Sequence, residues 1–156
     1  MVAPGTAAAV RHVGGWLFDR VMAGWDATVL VVGEPDARPL RILGAEVNDL
    51  ESALAYPTGG PRPQAIAVDA GLYGSDGRVR QIVREALDEG DTEVRIWGDT
   101  WPDGLDCEGG PLQHRLSVAA RAFKAQAMAA AAAEVGVMAG TETFRSGGRP
   151  RLVPVT

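Results

Sequence analysis

Three acidic side chains follow apolar runs closely: Glu46 after Leu40-Arg41-Ile42-Leu43, Asp69 after Ala65-Ile66-Ala67-Val68, and Asp99 after Glu93-Val94-Arg95-Ile96-Trp97. If each run is a strand of a parallel sheet, its carboxyl end is where such sheets place their ligands. Glu46, Asp69 and Asp99 would then share one rim. Carboxylates converging with some water suit Mg²⁺, which takes oxygen ligands and binds through few protein groups. No other cofactor is expected. The plainer reading of Glu46 and Asp69 is capping, because each stands just before a helical stretch and the helix dipole favours a negative charge there.

The segment from Asp99 to Gln113 is the stronger candidate, because a link that long in a compact domain is usually functional or disordered. It carries Trp101, Asp103, Asp106, Cys107, Glu108 and Gly109-Gly110, with His114 just beyond. Trp97 and Trp101 would form an apolar wall for a ligand or a plug over the sheet edge. A thiol nucleophile can be drawn with Cys107 attacking, His114 as base and Asp99 orienting the imidazole. Nothing in the spacing brings the three into contact, and a lone cysteine is more often inert. There is no GxxxxGK[ST] loop, no GxGxxG opening a helix after a strand, and no histidine pair at metal spacing. A calcium loop begun at Asp99 fails at Trp101 and at Gly110, where acidic ligands are needed.

The elements that must position these residues follow from periodicity. Val10, Val13, Leu17 and Val21 recur at helical spacing, predicting a helix over 10–24. Thr28 to Val32 is a continuous β-branched run, as buried strands are. Leu40 to Leu43 is expected to be a second strand, antiparallel to the first, since the link from Gly33 to Pro39 is too short for a parallel crossover. Asn48 with Glu51 starts a short helix. Strands at 65–68 and 93–97 flank a helix capped by Ser75 or Asp76 and stopped by Gly90. Strand–helix–strand–helix–strand is the βαβ signature. Gln113 to Glu134 reads as a long alanine-rich helix. The expected fold is thus an α/β three-layer sandwich, its small mixed, mainly parallel sheet of about four to five strands flanked by helices. Residues 1–140 form one domain, and 141–156 a C-terminal hairpin or flexible tail.

Net charge −5 and pI near 5.0 argue against nucleic acid or an anionic membrane as partner. One cysteine suits a reducing cytoplasm, and fourteen arginines against one lysine suit a GC-rich bacterial genome. No stretch reads as a secretory signal or a membrane span. Trp16 lies off the core stripe among His12, Asp19 and Ala23, so it is either an interface anchor or covered by the chain's own tail. Ala119, Ala122 and Ala129 would let another helix approach closely. With catalytic motifs lacking, the favoured expectation is a non-catalytic binding or assembly module pairing with itself as a homodimer, or with another protein. The alternative is a small enzyme, or a ligand or metal sensor, using the carboxyl-end rim and the 99–113 loop.

Overall fold

Among the described residues, thirteen elements follow one another: β1 (Val2–Ala3), α1 (Thr6–Met22), β2 (Thr28–Val31), α2 (Ala37–Ile42), β3 (Glu46–Asp49), α3 (Leu50–Ala55), β4 (Ala65–Asp69), α4 (Ala70–Ser75), α5 (Gly77–Glu89), β5 (Glu93–Trp97), β6 (Leu112–Arg115), α6 (Val118–Ala130) and β7 (Thr141–Ser146). The computed structural model describes residues 1–55, 60–100, 110–134 and 136–147. The strands make one mixed sheet in the order β3-β2-β1-β4-β5-β7-β6. β1 to β5 run parallel, while β7 runs antiparallel to both β5 and β6.

Side-chain alternation divides the core into two layers. Ala3, Val29, Val31, Ala67 and Trp97 face α1, α2 and α6, whereas Val2, Ile66, Val68, Val94 and Ile96 face α3, α4 and α5. Hydrophobic cover on both faces is what a parallel sheet requires. The α/β class with a mixed sheet flanked by helices is as expected. The sheet has seven strands, not four to five. Among the described residues, no helix is long and apolar enough to cross a membrane.

Several boundaries differ from expectation, each for a local reason. Leu40 to Leu43 is helical, not a strand. Asp36 accepts from the Arg38 amide to cap α2, Leu40 and Leu43 are fully buried, and Gly44 stops the turn at φ +84°. A four-residue apolar run does not distinguish the two conformations. Residues 32–45 are therefore a helical crossover, and β2 pairs in parallel with β3. The expected antiparallel first pair does not form. Asp49, not Asn48, caps α3 through the Ser52 amide.

At the other end, the long helix begins only at Val118, capped by Ser117, and residues 112–115 before it form β6. Residues 141–146 form β7, which lies inside the sheet, between β5 and β6. Residues 148–156 lie outside the described residues. β1 went unanticipated because two residues carry no periodicity, yet it lies between β2 and β4.

The helical register of α2 gives a direct test. Leu40→Ala should cost about 2–5 kcal/mol through lost burial and a cavity. Arg41→Ala, on the exposed side, should stay within about 0.5 kcal/mol. Urea unfolding midpoints of the two variants decide it.

Candidate functional site

The strand order reverses between β1 and β4, and in open parallel sheets the crevice beyond the carboxyl ends at such a point receives ligands. Three chain segments emerge there. β1 leads through Pro4 and Gly5 directly into α1. β4 ends at Asp69, whose Oδ2 accepts the Leu72 amide at 2.9 Å and caps α4. β5 ends at Trp97 and turns at Gly98, with φ +121°. A Cβ on Gly98 would stand 3.2 Å from Asp69 Oδ1, so the two strand ends pack closely.

An open cleft of about 450 Å³ lies off the end of β5, on the side of α1, α6 and β7, lined among others by Arg11, His12, Asp99, Lys124, Glu134 and Glu142. The His12 ring stacks on Trp97, with centroids 5.4 Å apart and planes 28° from parallel. Its ring nitrogens make no hydrogen bond among the described residues. Trp97 is a buried floor beneath the imidazole rather than an open wall. Asp99 and Glu134 are exposed at the mouth. An imidazole beside carboxylates and a guanidinium can move protons and steady a developing negative charge.

The back of the cleft is held by a buried ion pair. Lys124 Nζ lies 2.7 Å from Glu142 Oε1, and the two residues are only 5% and 4% exposed. Glu142 also accepts from the amides of Gly15 (2.8 Å) and Trp16 (2.7 Å), while Lys124 donates to the carbonyl of Arg11. These backbone groups lie in the middle of α1. The charged side chains of α6 and β7 thus engage the helix immediately beside His12. A Cβ at Gly15 would come within 2.3 Å of the Leu116 side chain and 3.1 Å of Glu142 Oε1, so this approach requires glycine.

A second clasp joins α1 to β6 and the start of α6 further along. Asp19 accepts from the Ser117 hydroxyl at 2.6 Å and lies 2.7 Å from His114 Nε2. Burial pushes the Asp19 carboxyl up, but the hydrogen bonds from Ser117 and His114 outweigh it and hold it below the usual value.

The residues singled out from sequence are dispersed. Glu46 opens β3, at the opposite end of the sheet from the rim, because the run before it is helical. Glu46, Asp69 and Asp99 therefore do not form one Mg²⁺ rim. Among the described residues, no group of three His, Cys, Asp or Glu side chains could hold a metal ion. His114 is held by Asp19 rather than Asp99, and Trp101 and Cys107 lie outside the described residues. Trp16 is no exposed anchor. It is 6% exposed, packed on Phe144 of β7 and flanked by the guanidinium groups of Arg20 and Arg95. Ala119, Ala122 and Ala129 lie on the outer side of α6, whereas Ala120, Lys124, Ala127 and Met128 face inward.

Sequence reasoning missed His12, Lys124 and Glu142. The available signals were Gly14-Gly15 inside an otherwise apolar helical pattern, and a lone lysine amid alanines. Paired glycines in a helix interior cost about 1 kcal/mol each relative to alanine, so a close approach there is the natural explanation.

No family model matches the sequence, nor does any curated protein. Solved structures do match the fold. The A40926 pseudoaglycone deacetylase Dbv21 superposes with a TM-score of 0.62 at 18% identity, covering 93% of this chain and 94% of that one. A deacetylase–teicoplanin complex gives 0.64 at 14% identity, covering 96% and 97%. The zinc-inhibited form of teicoplanin deacetylase Orf2 gives 0.62 at 14%, covering 97% and 98%. The chain thus shares the fold of these deacetylases. That likeness runs against the expectation of a non-catalytic interaction module, for the neighbours across nearly the whole chain are described as deacetylases. The burial of Trp16 removes one of its three supports.

Two outcomes test the clasps. Glu142→Leu leaves Lys124 and two helix amides buried without their acceptor and should cost about 3–5 kcal/mol in urea unfolding. Glu142→Gln, which keeps an acceptor oxygen, should cost less. Because the folded-state value of Asp19 is lowered, its stabilising contribution is present above the unfolded carboxyl range. It disappears as pH falls through the lowered value. Asp19→Asn should therefore weaken the fold at neutral pH and flatten the acid limb of its stability curve.

Proposed function

We propose that this chain is a small hydrolase that removes an acyl group from an amide nitrogen, working in the rim cleft. The observation that carries the reading is the His12 imidazole, free of hydrogen-bond partners among the described residues and open to the cleft beside the end of β5. The deacetylase fold of the solved neighbours supports the reaction class.

In this reading His12 takes a proton from water as its oxygen attacks the acyl carbon. Arg11 faces the oxyanion that develops. The carbon–nitrogen bond then breaks, the proton passes from His12 to the departing amine, and the acyl group leaves as a carboxylate. Trp97 keeps the imidazole in place, and the Lys124–Glu142 pair fixes the stretch of α1 that presents it. The single cysteine supports a reducing cytoplasm as the setting.

The test is a panel of N-acetyl and longer N-acyl amides, amino sugars and peptides included, with released carboxylate measured. His12→Ala should lower kcat by about 10²–10⁴-fold, the usual contribution of a general base, without changing the unfolding midpoint by much. A fully active His12→Ala variant would refute the assignment.

A further inference from the structure

One solved neighbour is a zinc-inhibited form; among the described residues, the donors at this cleft do not fit that ion. Catalytic zinc is held by three protein ligands, predominantly imidazole or thiolate with at most a carboxylate added. The whole sequence has two histidines and one cysteine, Cys107, which lies outside the described residues. His114 is committed to Asp19 at 2.7 Å, in the clasp between α1 and the start of α6. That leaves His12 as the one imidazole lining the cleft.

The other described positions near the strand ends are no better supplied. After β1, the turn at the strand-order reversal presents Pro4, Gly5 and Thr6, and the Thr6 hydroxyl donates to the Asp36 carbonyl. Asp69 has one carboxylate oxygen on the Leu72 amide and the other against Gly98. Asp99 and Glu134 add exposed oxygens, which are hard donors better matched to hydrated cations than to zinc.

We infer that the rim cleft is a metal-independent site, in which the His12 imidazole stays unligated on Trp97 and serves as the proton-transfer group. The role in proton transfer rests on the proposed hydrolase reading; the absence of zinc ligation does not. With only two histidines, the His12 ring resonances are assigned by comparison with His12→Ala. One equivalent of Zn²⁺, and separately millimolar Mg²⁺, is added while these resonances are followed across a pH titration. Zinc content is measured after dialysis of the intact chain.

The expected result is that the His12 titration curve is the same with and without either ion. Retained zinc should be well below one per chain, and EDTA should leave any amide hydrolysis unchanged. Stoichiometric zinc that survives dialysis and is lost in His12→Ala or Cys107→Ser overturns the inference, as does a His12 resonance displaced at one equivalent. If no amide in the panel is hydrolysed, the hydrolase reading fails, while zinc content and the imidazole resonances still decide whether the site takes a metal.

Discussion

A buried lysine–glutamate pair organises the half of the molecule that contains the cleft. Taking two charges out of water costs several kcal/mol each unless their remaining hydrogen-bonding capacity is met. Here Glu142 is met by Lys124 and two amides of α1, and Lys124 by Glu142 and the Arg11 carbonyl. Satisfying those groups requires α1, α6 and β7 to meet at one place. Gly15 makes the meeting feasible, since any side chain there would run into Leu116. His12 sits one turn before Gly15, so its position follows from the same junction.

The rim gains its character from what surrounds that junction. α1 runs from the end of β1 across the sheet face, carrying Arg11 and His12 past the end of β5, where Trp97 supports the imidazole. The antiparallel β7 brings its first residues, Thr141 to Thr143, to the same edge. A cleft with its back pinned by a buried pair and its mouth lined by exposed carboxylates follows from these placements. The deacetylase neighbours share the architecture at low sequence identity, which is consistent with a scaffold conserved by packing while its side chains vary.

Much of the fold was legible in the residues. Strands at 65–69 and 93–97, the helix between them with Asp76 and Gly90 at its ends, and the periodic α1 all carried strong local signals. Where the signal is a short apolar run it is ambiguous: Leu40 to Leu43 suits a strand or one helical turn, and the cap at Asp36 favours the helix. That one exchange moved Glu46 from the carboxyl end of a strand to the start of one, and dissolved the expected rim of three acids. The site was less legible than the fold, because Arg11, His12, Lys124 and Glu142 lie far apart in the chain and form no motif.

The sequence by itself determined the α/β class and the parallel crossover from β4 through α5 to β5, because periodicity and caps act over a few neighbouring residues. Only the tertiary structure decided the strand order, the burial of Trp16 beneath β7 and the union of Lys124, Glu142 and the middle of α1. Such features arise from long-range pairing, in which a buried charge or indole must find partners more than a hundred residues away. No local pattern announces those partners, since the free energy that selects them exists only once the intervening chain has folded.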